Sequence, residues 1–274
     1  MIGIIGQGFV GNAIYQKLKH YYNIYTYDLN PQKSNSSFNK LKSNSEIIFI
    51  CLPTPMNKDG SCNISIIEKI LNTLNKTNTY NIIIKSTVIP GTTKQWNKNY
   101  KNLHIVFNPE FLTEANSIND YENQNRIILG GPRPTTTTLK PIFTKIFPNA
   151  HIIKTDSTHA EMVKYLTNTF LSLKVSYANQ IYNLCNKLNI DYDKIIEYAS
   201  YDERIGKSHW AVPGPDGKLG FGGSCFPKDL QALIYLGKKL NVNLSMLQKT
   251  WETNLEARPE KDWEQLKGRA ITKE

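Results

Sequence analysis

The opening stretch, Met1 to Asp28, constrains the fold more than any other part of the chain. Met1 to Ile5 is a short apolar strand, Gly6-Gln7-Gly8-Phe9-Val10-Gly11 follows without a gap, and Ala13, Ile14, Leu18 and Tyr21 then recur at helical spacing. A second strand, Ile24 to Tyr27, ends in Asp28. A bare G-x-G-x-x-G string is common by chance. Set between a strand and a helix, with an acid closing the next strand, it predicts a dinucleotide-binding βαβ unit. Gly6 would make the turn, Gly8 would admit the pyrophosphate, and Gly11 would let helix and strand pack closely, while Phe9 and Val10 open the helix. Free N–H groups and the dipole at that helix N-terminus favour phosphate. Asp28 would bond the ribose hydroxyls and repel a 2′-phosphate, which predicts NAD over NADP.

The alternation continues. Glu46 to Cys51 reads as a buried strand ending in Leu52-Pro53-Thr54-Pro55, and Ile64 to Leu74 as a helix. Ile82 to Ile84 runs into Lys85-Ser86-Thr87, His104 to Phe107 into Asn108-Pro109-Glu110-Phe111, and Arg126 to Leu129 into Gly130-Gly131. A helix at Pro134 to Phe147 and a strand at His151 to Ile153 close the pattern. Strands alternating with helices predict an α/β fold, a Rossmann-like doubly wound parallel sheet over residues 1–155. Thr54, Thr87 and Glu110 fall beyond strand ends, where such sheets bind ligands. Ordinary polar loop residues belong there too.

From Ser157 the pattern changes to long helix. Ala160, Val163, Leu166, Phe170, Leu173, Tyr177, Ile181, Leu184 and Leu188 form one apolar stripe over roughly eight turns. That is too long for a crossover and predicts the backbone of an all-helical domain, residues 156–257, with a dimer interface along it. Lys164 and Asn168, spaced i and i+4, share a face of this helix. A helix at Tyr192 to Ala199, a glycine-rich loop from Gly206 to Gly223, and helices at Lys228 to Leu240 and Leu244 to Glu256 follow. Residues 258–274 read as a charged tail with a short exposed helix.

The chemistry centres on Leu219 to Leu230, LGFGGSCFPKDL. Gly222 and Gly223 set Cys225 on a tight backbone that another molecule can approach. Lys228 follows, and a nearby cation favours the thiolate, so the cysteine has the makings of a nucleophile. Asp229 would face the sulfur if Pro227 opens a helix. Taken alone, the four letters GGSC are better explained by a glycine loop around a small buried cysteine.

Composition excludes more than it assigns. A net charge of +10 suits anionic partners, but the lysines are scattered and no nucleic-acid module is present, so nucleic acid is not an expected partner. The four cysteines show no CxxC spacing and no histidine cluster, which predicts no metal, no disulfide framework and a reducing cytoplasm. Cys51, Cys62 and Cys185 read as structural. The first strand begins at once, leaving no place for a signal peptide, and no apolar run is long enough to span a membrane. Among the histidines only His209, close to Arg204, stands out.

GQGFVG, Asp28, LPTP, KSTVIPGTT, NPEFLTEA, EMVKYLTNTFLSLKVSYANQI, RIGKSH and GFGGSCFPKDL occur in order over nearly the whole chain. In this the sequence resembles the UDP-glucose/GDP-mannose dehydrogenase family. The resemblance implies oxidation of a nucleotide-sugar primary alcohol to a carboxylate, UDP-glucose to UDP-glucuronate foremost, with two NAD reduced per turnover. It implies that Cys225 carries a thiohemiacetal and then a thioester. It makes Lys164 and Asn168 oxyanion donors, Asp229 a proton acceptor through water, Glu110 the base of thioester hydrolysis, and Thr87 the residue that positions the water. Thr54, Glu114 and Lys228 would stand near the cofactor. Arg204 of the RIG motif would reach the substrate of the second subunit of a homodimer. Full-length members carry a further UDP-binding domain, and the sequence ends where that domain would begin. Two alternatives stay open: a two-electron hydroxy-acid dehydrogenase, and an idle NAD-binding subunit that pairs with a full-length enzyme.

Overall fold

The computed structural model describes residues 1–273. It divides into two compact units, the first made of Met1–Thr54 and Ile64–Lys164, the second of Pro55–Asn63 and the chain from Tyr165 onward. In the first unit the elements run β1 (Ile2–Ile5), α1 (Phe9–Leu18), β2 (Ile24–Tyr27), α2 (Phe38–Asn44), β3 (Ile47–Ile50), α3 (Ser65–Asn75), β4 (Tyr80–Ile84), α4 (Thr92–Asn99) and β5 (Leu103–Phe107). They continue through α5 (Ser117–Glu122), β6 (Arg126–Gly130), α6 (Arg133–Ile146), β7 (His151–Thr155) and the start of α7 (Ser157–Leu188).

Seven strands form one sheet in the order β2-β1-β3-β4-β5-β6-β7. Side chains alternate across a strand, so the continuous apolar runs feed two cores at once. Ile48 and Ile50, Ile82 and Ile84, and Ile105 and Phe107 enter one layer with Leu71 and Trp96. Phe49, Ile83 and Val106 enter the opposite layer with Ile14, Leu139 and Phe143. β1 pairs in parallel with both β2 and β3, Ile2 standing beside Ile24 and Ile47. The chain therefore winds outward in both directions from β1, and the β1/β3 boundary is the switch point where such sheets open for a ligand.

The sheet is mostly parallel, as expected, with one departure: β6 meets β5 antiparallel through the single pair Phe107 and Gly130, and β7 runs with β6. Between β5 and β6 the chain goes through α5, which packs on α1, and returns in the opposite sense. Strand direction is a property of the connection, not of the apolar run.

The second unit is helical: the rest of α7, then α8 (Tyr192–Ala199), α9 (Phe226–Lys239) and α10 (Ser245–Ala257). Phe221, Leu230 and Ile234 form its core with Val175, Leu247 and Trp251. A second cluster gathers Ala178, Cys185, Tyr192 and Val212. The predicted stripe on α7 divides. Ala160 and Val163 join the core of the first unit, whereas Leu166, Phe170, Tyr177, Leu184 and Leu188 are each more than half exposed in the single chain. The buried face of α7 mixes Tyr165, Ala178 and Cys185 with the polar Asn168, Thr169, Ser172, Lys174, Ser176 and Asn179.

The segment after α10 corrects a further expectation. It is no exposed helix: a 3-10 turn at Asp262–Gln265 buries Trp263 against Trp251, and Arg258 and Ala270 are also buried. Glu274, the last residue of the expected tail, lies outside the described residues. Ile271 pairs with Met56, the Met56 N–H donating to the Ala270 carbonyl at 2.8 Å.

Candidate active site

The glycine turn after β1 is built for close approach. Gly6 has φ +91°, and a Cβ there would lie 2.4 Å from the Cys51 carbonyl oxygen. A Cβ on Gly11 would lie 1.9 Å from the Gly6 carbonyl oxygen, so α1 sits directly on the turn. Gly8, by contrast, faces open space. It is the N-cap of α1 with no side-chain cap, which leaves the first N–H groups of the helix, at Phe9 and Val10, for an anion. Asp28 closes β2, and its carboxylate accepts the Gln7 N–H at 2.7 Å and the Asn30 N–H at 2.8 Å. Open backbone at Gly8, an uncapped helix start and a fixed acid fit a dinucleotide.

Beyond β3, β4 and β5 lie the other expected residues of this unit. The Thr54 hydroxyl donates to the Thr87 carbonyl at 2.7 Å, tying the two strand-end loops together, and both residues are buried. Glu110 is buried, with its carboxylate accepting the Leu112 N–H at 2.6 Å. Lys164, reaching from α7, donates to the Glu110 carbonyl, stands 3.8 Å from the Glu110 carboxylate and lies over the Phe111 ring. Glu114 is exposed on the same loop.

Two participants escape the sequence reading. Lys85, at the end of β4, is buried and donates to Asn108 Oδ1 at 2.9 Å and to the Pro109 carbonyl at 3.4 Å, so it holds the loop that carries Glu110. Burial brings its ammonium down to about 8, Lys164 pushing the same way while Glu110 and Cys51 oppose. Glu161, one turn before Lys164, is fully buried and accepts the Gly91 N–H at 2.6 Å and the Thr93 N–H at 2.8 Å. It caps α4, whose N-cap Gly91 has no side chain to offer. Burial drives its carboxyl up to about 7 against those hydrogen bonds. The available signal is a charged residue set at core spacing: Lys85 closes an apolar run, and Glu161 adjoins Ala160.

In the second unit, Cys225 is the N-cap of α9, with Pro227 in the first turn. The Asp229 N–H donates to the Cys225 carbonyl at 3.0 Å, so acid and thiol stand one turn apart. Asp229 is buried, and its two oxygens are both engaged: Asn168 Nδ2 donates to one at 2.6 Å, Lys228 Nζ to the other at 2.5 Å. Burial alone would lower the Lys228 ammonium, but the charges of Asp229, Cys225 and Cys62 hold it above the usual lysine range. Asn168, Lys228 and Asp229 are thus joined by hydrogen bonds within one unit, and Cys225 stands one turn before Asp229 at the start of α9. Gly223 has φ +71°, and Gly222 has no room for a side chain.

Arg204 stands apart, exposed on a 3-10 turn at Glu203–Ile205 with its guanidinium paired to Asp202. His209 is half-buried with its ring 5.8 Å from that of Phe226, and its Nδ1 has no hydrogen-bond partner among the described residues. Burial pushes the Cys51 thiol up to about 12, as suits a packing cysteine. Among the described residues no group of three or more His, Cys, Asp or Glu side chains could hold a metal, and no helix is long and apolar enough to cross a membrane.

Residues 28–148 match the NAD binding domain of the UDP-glucose/GDP-mannose dehydrogenase family, and residues 158–256 match its central domain. The chain belongs to this family. NAD is accordingly the dinucleotide of its first unit. Among family members, the UDP-glucose 6-dehydrogenase TuaD of Bacillus subtilis is 34% identical over 219 residues, covering 77% of this chain and 46% of its own. A UDP-glucose dehydrogenase of known structure from Pyrobaculum islandicum superposes with a TM-score of 0.84 at 25% identity, over 97% of this chain and 70% of that one. The fold alone is shared with a 3-hydroxyisobutyrate dehydrogenase of Mycobacterium tuberculosis, at 14% identity and a TM-score of 0.76, over 95% of this chain and 94% of that one. The chain spans about half the length of the curated family relatives it matches.

Proposed function

We propose that the protein is an NAD-dependent dehydrogenase that oxidises the primary alcohol of a nucleotide sugar, UDP-glucose foremost, through two steps to a carboxylate. The observation that carries this reading is the thiol of Cys225 at the start of α9, one turn from a buried Asp229 held by Asn168 and Lys228. A two-electron oxidation has no use for a nucleophile; a thiol is what captures an aldehyde for a second oxidation. NAD, bound at the glycine turn, supplies the hydride acceptor for each oxidation.

The chain's own groups divide the remaining work. Asp229 takes the hydroxyl proton through a water as the alcohol becomes an aldehyde. The Cys225 sulfur then adds to the aldehyde carbon, its proton passing to the new oxygen, and the thiohemiacetal loses a hydride and that proton to become a thioester. Lys164 and Asn168 donate to the oxygen as it gains charge, a role typically worth several kcal/mol. The Asn168 amide has two N–H donors, of which Asp229 engages one. Glu110 removes a proton from the water that cleaves the thioester, Thr87 positions that water, and the thiol is restored. Glu114 serves the cofactor side of the site and Lys228 keeps the Asp229 carboxylate oriented.

The test is NADH formed per sugar consumed, with purified protein, NAD and UDP-glucose. Two NADH per sugar is the expected result. One NADH with accumulation of an aldehyde would replace the reading with a two-electron dehydrogenase, and no NADH despite NAD binding would sink the UDP-glucose assignment.

We also propose a homodimer built on α7, with Arg204 serving the partner's substrate. Leu166, Phe170, Tyr177, Leu184 and Leu188 leave an exposed apolar stripe along α7, and an apolar stripe of that length marks an association surface. Light scattering on a sizing column should give twice the chain mass. Phe170→Glu with Tyr177→Glu should give the single-chain mass with secondary structure retained; an unchanged mass would remove α7 as the interface.

A further inference from the structure

The glycine loop that ends at Cys225 has an unusual density of side-chain ties. The Gly220 N–H donates to Asn179 Oδ1 at 3.0 Å, the Phe221 N–H to Asn254 Oδ1 at 2.7 Å, and Asn254 Nδ2 returns a bond to the Phe221 carbonyl at 2.9 Å. The last tie before the cysteine comes from beyond α10: the Gly223 N–H donates to Asp262 Oδ2 at 3.2 Å. The other oxygen of Asp262 accepts Arg258 Nε at 2.7 Å.

Arg258 is itself buried, with its guanidinium paired to the Asp216 carboxylate and donating to the Leu219 carbonyl at 3.4 Å. One cation thus joins the start of the loop, its middle and the carboxylate that holds its end. The fit is close. A Cβ on Gly222 would stand 2.3 Å from Asp262 Oδ1 and 2.6 Å from Arg258 Cζ. Trp263, buried against Trp251, anchors the turn that carries Asp262. Packing alone would be met more cheaply by apolar side chains, since a buried guanidinium is costly unless its geometry is used.

We propose that Arg258 and Asp262 are a positioning pair for the nucleophile, fixing the backbone two residues before Cys225 so that the sulfur is presented at the start of α9. Neither residue touches substrate. The pair acts through the Gly222-Gly223 backbone, and the proposal rests on reading Cys225 as the nucleophile.

The decisive variants are Asp262→Ala, which removes the acceptor of the Gly223 N–H, and Asp262→Asn, which keeps an oxygen there. Three measurements apply: NADH per sugar with assay for released aldehyde, the Michaelis constant for NAD, and the alkylation rate of Cys225 by iodoacetamide without substrates. Cys51, Cys62 and Cys185 serve as internal references for the last. Asp262→Ala should release aldehyde, drop from two NADH per sugar toward one, and lose about 10–100-fold in kcat with the NAD constant unchanged. Its Cys225 alkylation should slow by about fivefold or more as the thiol leaves the helix start and Lys228. Asp262→Asn should restore both.

Wild-type alkylation and stoichiometry in a folded Asp262→Ala would overturn the proposal, as would a failure of Asp262→Asn to restore them. If Asp262→Ala does not fold, Arg258→Lys, which keeps the charge but not the fork, should show the same losses in smaller measure; wild-type behaviour there overturns it equally. If the wild type turns over no nucleotide sugar, the functional reading falls while the alkylation comparison still decides the positioning role.

Discussion

Cys225→Ser should bind NAD as the wild type does and yet fail to make carboxylate, with turnover to the acid reduced on the order of 10³-fold or more. The sulfur is the atom that holds the aldehyde between oxidations, and a serine hydroxyl at the same place is a far weaker nucleophile at neutral pH. The side chain is partly accessible and caps α9 through its backbone alone, with no side-chain cap bond to lose. The fold should therefore be unaffected, and melting should remain within about 1 °C, as for a change at a site outside the core. Asp229, Asn168 and Lys228 remain in place, so the first oxidation has its groups. The expected product of a single turnover is one NADH and an aldehyde that a carbonyl reagent can trap. Full acid formation by Cys225→Ser would exclude a thioester route.

The second large effect is structural. Gly11→Ala places a methyl group 1.9 Å from the Gly6 carbonyl oxygen and 3.0 Å from its carbon. Both are backbone atoms of the turn that precedes α1, so no rotamer can relieve the clash. The helix must shift off the turn, at a cost of about 3 kcal/mol or more. Melting of the first unit should fall by roughly 6–12 °C, and NAD binding should be lost with the geometry of the turn. Gly8→Ala is the control, because a Cβ there meets nothing within 4 Å. It should melt normally and still weaken NAD, since the methyl stands where the cofactor backbone approaches. If Gly11→Ala melts and binds NAD as the wild type does, α1 is not seated on the turn as described.

How much of this is legible from sequence differs by element. Strands β3, β4 and β5 are buried on both faces, so they announce themselves as apolar runs, and the glycine turn and Asp28 are readable from their places between them. Helices α2, α4 and α5 are not, because FNKLKSN, TTKQWNKN and SINDYE are short and polar and are held by contacts rather than by propensity. The reversal of β6 and β7 leaves no local mark. The period of α7 is plain in the sequence, but how its stripe divides is not: Ala160 and Val163 turn into the core, whereas Leu166, Phe170, Tyr177, Leu184 and Leu188 face out. The Cys225 cluster is readable because a helix start places residues 225, 228 and 229 together. Glu161 and Asp262 are not, since the backbone groups they hold lie 68 to 70 and 39 residues away.

The pairing of Met56 with Ile271 has a consequence for taking the molecule apart. Pro55–Asn63 interrupts the first unit in sequence yet belongs to the second, where the Met56 N–H and carbonyl are matched by Ala270 and Thr272 at 2.8 and 3.0 Å. The polypeptide therefore passes between the units three times, at Thr54, at Asn63 and at Lys164. Separate genes for residues 1–164 and 165–274 would not yield two intact modules. The first fragment would carry an orphaned loop, and the second would lack the segment against which Ala270 to Thr272 align, leaving open hydrogen-bonding edges on both. A split version of this protein has to keep that loop with the later half, by circular permutation or by grafting.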